Sequence, residues 1–495
     1  MRAILPFLAI TSFAAAADRP NVLLICVDDL KPTIGCFGDP HARTPNIDRL
    51  AQHGVVFRSA FANQAVCAPS RNALMTGLRP DQIGVYDLST WFRHSVRDAV
   101  TLSQRFMQNG YHAESLGKIF HRGHGNVIDP ASWSVRFWYP TGGSPSPVTT
   151  GGPKPPTGAR VQQPSAESRG PAWGWPEAPD AAFPDGKLAS KATERLGTLA
   201  AEGKPFFLGV GFARPHLPFI APKHYWDLFD PAALPVPPVN EGLPKGAPAF
   251  AGHNSGELRA YSDIQAVGPL TAEQARTMVH GYYASTAFVD AQIGRVLDTM
   301  DRLDLWKTTV VVLWGDHGWH LGDHGLWCKH TNFEQAAHNP VIICAPGRAV
   351  GKETRSLMQT VDLYPTLCAL ARIEPPQGLA GRSLVPILDD PTASIQDAVF
   401  HVFPRGGGSG IGELLGRAVR TERWRYVEWR SFKDDAVQGR ELYDYQTDPS
   451  ETENKVDHPE HAVLVKDLAA RIAALGPAKK PVKKDPTLAE PKDSR

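Results

Sequence analysis

No excess of charge of either sign marks this chain. Its 52 Lys and Arg stand against 51 Asp and Glu, a formal net charge of +1 over 495 residues. That balance supplies no global field to draw the protein to nucleic acid or an acidic membrane. Beyond the first residues no apolar run has the length of a transmembrane helix, so no stable membrane insertion is expected. Cysteines number only six, at spacings that form no disulfide framework. Cys26 lies in the apolar run VLLICV and Cys344 in VIIC, where a thiol serves as a small hydrophobe. The pairing of Cys36, Cys328 and Cys368 stays open. The Cys/His set of a structural zinc site is missing, as is an internal repeat of solenoid period.

What is present is the composition of a large globular protein: 42% hydrophobic residues, 21% charged, and enough loop formers, 44 Pro and 44 Gly, to give long surface excursions. The length suits one large domain and a smaller one. Met1-Arg2 followed by a mostly apolar stretch to Ala16 and by small residues up to Ala17 reads as a signal peptide over residues 1–17. Cleavage is expected near Ala17, with export to the periplasm or outside the cell. No cysteine for a lipid anchor stands at that point, so the mature protein is expected to be soluble.

Strand and helix signals alternate through the first three quarters of the chain. Asn21 to Val27, Tyr111 to Leu116, Pro205 to Phe212, Thr309 to Trp314 and Val341 to Cys344 read as short, apolar, buried strands. Helical patterns fall between them, the longest from Ala272 to Asp301. This alternation predicts an α/β domain over 18–385, a large mostly parallel sheet flanked by helices on both faces. Residues 140–186 read as a Pro/Gly-rich loop insertion in which Trp173 and Trp175 either mark a recognition surface or anchor the loop. Residues 386–475 read as a smaller C-terminal α+β subdomain with a short antiparallel sheet and a packing helix, and 476–495 as a disordered tail.

Functional side chains gather at the carboxyl ends of strands in such sheets. Here those ends deliver Asp28-Asp29, Lys118 with His121, His216, and Asp316-His317. The tetrad Gly-Asp-His-Gly occurs twice, at 315–318 and 322–325, but only the first copy directly follows an apolar strand. Asp316 and His317 are therefore assigned to the metal, and Asp323 and His324 to bracing the loop that carries Lys329. Hard oxygen donors of this kind suit Ca²⁺ or Mg²⁺. A metal with two lysines and a helix N-terminus stabilises charge growing on an oxyanion ester, either sulfate or phosphate. The helix N-terminus is that of Asn63 to Pro80, where Cys67 precedes Pro69, Ser70 and Arg71.

The string Cys-Ala-Pro-Ser-Arg with Met75-Thr76-Gly77 resembles the signature of formylglycine-dependent sulfatases, of the alkaline-phosphatase-like superfamily. The strings VDDLKPTIGCFGD, RTPNIDRLA, NQAVCAPSR, YDLSTWFR, LGKIFH, RPHLPF, GDHGWHLGDHGLWCKHTNFE and ELYDYQTDP share that resemblance in order, nearest its iduronate-2-sulfatase branch. The resemblance implies oxidation of Cys67 to formylglycine by a maturation enzyme. It implies one Ca²⁺ held by Asp28, Asp29, Asp316 and His317 with residue 67, and Arg71 holding the modified side chain. A hydroxyl of the hydrated aldehyde then attacks sulfur and releases the sugar alcohol; the other hydroxyl loses its proton and expels sulfate. Lys118 and Lys329 would bind sulfate oxygens, His121 would take the proton in the expulsion step, and His216 would be the acid near the leaving oxygen. Trp319 would line the sugar pocket. The implied substrate is a sulfated saccharide, a 2-O-sulfated uronate. Two other readings stand beside it: a phosphodiesterase or phosphonate hydrolase of the same superfamily, and an unmodified, catalytically silent sugar-binding protein.

Overall fold

The computed structural model describes residues 19–146, 169–238, 241–406 and 413–491. The expected leader and the middle of the 140–186 insertion lie outside the described residues. Seven strands form the central sheet: β1 (Asn21–Val27), β2 (Val55–Phe57), β3 (His112–Gly117), β4 (Phe206–Phe212), β5 (Thr309–Gly315), β6 (Val341–Cys344) and β7 (Lys352–Thr354), in the order β7-β2-β6-β5-β1-β4-β3. Every pairing is parallel except the two made by β6, which runs against both β5 and β2. β1 lies at the centre, in register with β4 on one side and β5 on the other, and all three end together.

Side chains alternate across the pleat, and β1 shows how the sheet buries both faces. Val22, Leu24 and Cys26 point into one core with Leu74 and Met75 of α2 (Cys67–Thr76), Leu102 and Phe106 of α3 (Leu102–Met107) and Leu367 of α6 (Leu363–Leu370). Leu23, Ile25 and Val27 point the other way. They meet Leu50 of α1 (Pro45–Gln52), Leu196 of α4 (Pro184–Glu202) and Ile293 of α5 (Ala272–Arg302). The start of α1 is capped from another helix: buried Asp290 of α5 accepts from the Asn46 and Ile47 N–H groups, the latter at 2.7 Å. The expected sheet with helices on both faces is thus present, with one antiparallel strand inside it.

After residue 398 the chain forms a four-stranded antiparallel sheet, β8 (Val399–Arg405), β9 (Leu414–Arg420), β10 (Trp424–Ser431) and β11 (Val437–Asp444), in sequential order. Leu468 and Ile472 of α7 (Ala462–Ala473) cover one face, against Val419, Tyr426 and Leu442. The other face packs Ala418, Val427, Trp429 and Tyr443 onto Leu326 and Phe333, which lie in the chain between β5 and β6. Residues 477–491, read from composition as a disordered tail, instead run as a strap along 79–97. Lys479 N–H donates to Asp81 O at 2.7 Å, Tyr86 Oη donates to Lys479 O at 2.7 Å, and Glu490 lies 2.8 Å from His94 Nε2. Backbone hydrogen bonds hold this segment, and those are invisible to a reading of Lys and Pro content.

The two sheets are joined by a buried ionic cluster. Arg425 donates to Glu451 at 2.9 Å and to Glu334, whose carboxylate also receives Arg420 at 3.1 Å through each oxygen. Burial alone would raise Glu334; Arg420 and Arg425 overcome it and hold the carboxyl well below its usual range. Removing one partner of such a cluster strands buried charge. Arg425→Ala is expected to lower unfolding free energy by about 3–5 kcal/mol, measured by urea denaturation, and Arg425→Met by less than Arg425→Ala.

Candidate active site

The site forms where β1 and β5 end side by side. Asp29 adopts a left-handed backbone (φ 57°), and its N–H donates to Asp316 Oδ1 at 2.9 Å, locking the two strand ends together. Asp28 and Asp316 are bridged from α2: Arg71 Nε donates to Asp316 Oδ2 at 3.0 Å, and its second terminal nitrogen donates to Asp28 Oδ1 at 2.8 Å. Its remaining nitrogen donates to the Lys118 and Ile119 carbonyls. Arg71 was expected on the side chain of residue 67; its contacts here are with these acids and carbonyls.

Cys67 is the first residue of α2, behind an N-cap, Val66, that supplies no side-chain acceptor to the helix N–H groups. Its Sγ lies 3.5 Å from His317 Nε2 and 3.9 Å from Asp29 Oδ1. Burial, and after it Asp28, pushes the Cys67 thiol well above its ordinary value, so the group stands as a protonated thiol. Unmodified, it is a poor nucleophile.

Lys118 follows β3 through Gly117 (φ 70°), where a Cβ would sit 2.3 Å from the Gly211 carbonyl, so only glycine fits the turn. The lysine Nζ pairs with Asp28 Oδ2. Lys329 Nζ donates to both oxygens of Asp29 at 3.0 Å and rests 4.9 Å from the centroid of the Trp319 ring. Its neighbours Cys328 (φ 74°) and His330 (φ 70°) both carry left-handed backbones, a strained pair that turns the lysine inward. Burial would raise Asp28, but Lys118 and Arg71 hold it well below the usual carboxylate range. Burial leaves Asp316 raised, despite His317 and Arg71.

The three histidines take different settings. His317 Nδ1 donates to the Gly318 carbonyl at 2.9 Å, and its Nε2 faces Asp29 Oδ1 at 3.3 Å and Asp316 Oδ1 at 3.6 Å. An imidazole oriented by a carbonyl behind it, with its other nitrogen among carboxylates, is a metal ligand's arrangement. His216 Nδ1 likewise donates to Leu217 O at 2.6 Å, and its Nε2 lies 3.7 Å from Asp29 Oδ2. The preceding turn is held by Asp185, which accepts from the Ala213 and Arg214 N–H groups. His121 sits apart, its Nε2 3.1 Å from His124 Nδ1; burial and then Lys118 push it down to about 2, so it is neutral, and its buried Nδ1 has no protein partner.

Nine of the singled-out residues therefore meet in one cleft: Asp28, Asp29, Cys67, Arg71, Lys118, His216, Asp316, His317 and Lys329. The second Gly-Asp-His-Gly copy lies outside it, Asp323 accepting from Leu321 N–H at 2.9 Å and pairing with Lys31, and His324 facing Glu451. Trp319, expected on the pocket wall, is fully buried and backs Lys329 instead. Trp173 is likewise an anchor, buried and paired in a short ladder with Phe219. All six cysteines are free thiols.

One member of the cleft had no signal in the sequence. Glu257 lies within a Pro-rich excursion after β4, yet its Oε1 is 3.2 Å from both Lys329 Nζ and His216 Nε2. Burial would raise it; Lys329 and then His216 hold it well below the ordinary range.

Residues 20–373 match the family described as Sulfatase, and residues 322–477 match the C-terminal family of N-sulphoglucosamine sulphohydrolase. The chain is 31% identical over 518 residues to the iduronate 2-sulfatase of Homo sapiens, covering 90% of this chain and 92% of that protein. A solved structure in complex with its substrate D-glucosamine-2-N,6-O-disulfate superposes with a TM-score of 0.73 at 19% identity, over 92% of this chain and 97% of that one. The phosphonate monoester hydrolase of Agrobacterium radiobacter does so with a TM-score of 0.70 at 25% identity, over 92% and 95%. With a family match over most of its length and a relative of this identity, the chain belongs to the sulfatase family and is a sulfuric ester hydrolase.

Proposed function

We propose that the protein removes sulfate from a 2-O-sulfated uronate in a sulfated saccharide, using formylglycine formed from Cys67 and one Ca²⁺ ion. The observation that carries this reading is the meeting of Cys67 Sγ and His317 Nε2 at 3.5 Å among the carboxylates of Asp28, Asp29 and Asp316. Those three acids and His317 would hold the ion, their oxygens supplying the hard donors Ca²⁺ takes. Oxidised and hydrated, residue 67 supplies the oxygen nucleophile that a buried, protonated thiol does not.

The other side chains have separable tasks. Lys118 and Lys329 hold sulfate oxygens and draw off the charge that develops on them. Arg71 ties Asp28 to Asp316 and fixes the start of α2 beneath residue 67. His216 donates a proton to the leaving sugar oxygen, and neutral His121 accepts one in the expulsion of sulfate. Four carboxylates, Glu257 among them, face the cations Arg71, Lys118 and Lys329, and a divalent ion would leave the cleft positive and suited to an anionic ester.

Phosphonate monoesters and phosphodiesters carry one charge, and the likeness to a phosphonate monoester hydrolase keeps them in the comparison. The 31% identity to an iduronate 2-sulfatase over nearly the whole chain supports the uronate. Export through the leader pattern of residues 1–17 and an encounter with a maturation enzyme that reads the Cys67 to Arg71 string belong to the same reading.

Incubated with a panel of sulfated disaccharides, a phosphonate monoester and a phosphodiester, the enzyme is expected to release sulfate fastest from a 2-O-sulfated uronate. Faster turnover of the phosphonate would reverse the assignment. Mass spectrometry of the peptide 59–71 is expected to find an aldehyde in place of the Cys67 thiol, and Cys67→Ala to fold normally with essentially no turnover. An unmodified thiol in active enzyme would remove formylglycine from the scheme. Ca²⁺ at about 100 times its Kd is expected to add about 2.7 kcal/mol of stability, and Asp29→Asn or Asp316→Asn to abolish that gain in thermal melts.

A further inference from the structure

The segment that delivers Glu257 is fastened to the Lys329 segment at several points that do not involve Glu257 itself. His253 Nε2 donates to the Lys329 carbonyl at 2.7 Å, and its Nδ1 accepts from Ser255 N–H at 2.8 Å, which fixes a neutral tautomer. Burial, and then His330, holds His253 well below its ordinary value, in agreement. Ser255 Oγ accepts from Trp327 N–H at 3.1 Å. Arg259 closes the far side of the loop on the carbonyls of Asn254, Gln265 and Gly268. The carboxylate of Glu257 is thus presented by a clamp that stands without it.

Its contacts link two groups with different tasks. Lys329 Nζ lies between Asp29 and Glu257, at 3.0 and 3.2 Å, and His216 Nε2 lies between the same two carboxylates, at 3.7 and 3.2 Å. Without Glu257 both would fall back on Asp29, whose oxygens are wanted by the metal. We propose that Glu257 is a positioning residue of sulfate ester cleavage, sharing Lys329 with Asp29 and holding His216 away from it, so that one is set toward the sulfate and the other toward the leaving oxygen. The inference rests on the roles given above to those two residues.

The test compares leaving groups. Wild type, Glu257→Gln, His216→Ala and the double variant are assayed on the sugar sulfate and on a series of aryl sulfates of graded leaving-group pKa. Thermal melts, Ca²⁺ content and residue 67 oxidation are checked for each. Misplacing an acid by about an ångström costs on the order of 10²-fold. Glu257→Gln is expected to lose about that factor in kcat/KM on the sugar sulfate and on the order of tenfold or less on the most activated aryl sulfate. Its dependence on leaving group should be as steep as that of His216→Ala, and the double variant no steeper. Competitive inhibition by inorganic sulfate should weaken in Glu257→Gln, reporting the Lys329 half. Equal losses on all substrates, or a double variant steeper than His216→Ala, would overturn the positioning role. If His216→Ala itself does not steepen the dependence, the acid assignment fails instead; if it does and Glu257→Gln does not, only Glu257 is struck out.

Discussion

Like charge gathered at one edge of a sheet is the condition the rest of this molecule accommodates. Asp28, Asp29 and Asp316 stand at adjoining strand ends, buried to 1% exposure or less. Two such charges about 4 Å apart repel by about 4 kcal/mol even at an effective dielectric of 20. Three cations answer them, each from a different element: Arg71 from α2, Lys118 from the end of β3, Lys329 from a strained turn after β5. The left-handed backbones of Asp29, Cys328 and His330 belong to the same accommodation. Strain persists there because rigid neighbours impose it, and it aims the side chains inward.

Such a cluster also explains why the protonation states in the cleft are so uneven. Surrounded by carboxylates and cut off from water, Cys67 keeps its proton; buried and beside Lys118, His121 rests neutral. A pair of ordinary titrating groups would drift with the medium. Here burial first, and then the charges of the cleft, hold the neighbouring thiol and imidazole neutral.

Much of this was readable in the sequence because the relevant residues follow short apolar runs. Asp28, Asp316 and Lys118 each end a strand whose residues are β-formers flanked by turns, and the parallel sheet then brings those ends together without further information. The C-terminal hairpins were visible for the same reason, through period-two alternation. Glu257 was not, because its loop is built from side-chain to backbone contacts such as Ser255 to Trp327, which leave no periodic trace. Trp173 was left open and Trp319 misplaced because an aromatic in a Gly/Pro-rich stretch is as good a packing anchor as a surface probe, and only the fold decides. The spacing Cys67 to Arg71 did not reveal the bridge from Arg71 to Asp28 and Asp316, since which groups an arginine bridges depends on strands far away in the chain.

The strap formed by residues 477–491 has a consequence in time. It fastens the segment that follows α2, through Asp81, Tyr86 and His94, and it comes from a stretch synthesised long after that segment. Helix α2 is buried along its whole length, with Cys67 at 1% exposure. A chain emerging in order therefore presents its Cys67 stretch to solvent long before the pieces that seal it exist. Any catalyst that must touch that thiol has an interval set by translation, and the arrival of those later pieces ends it.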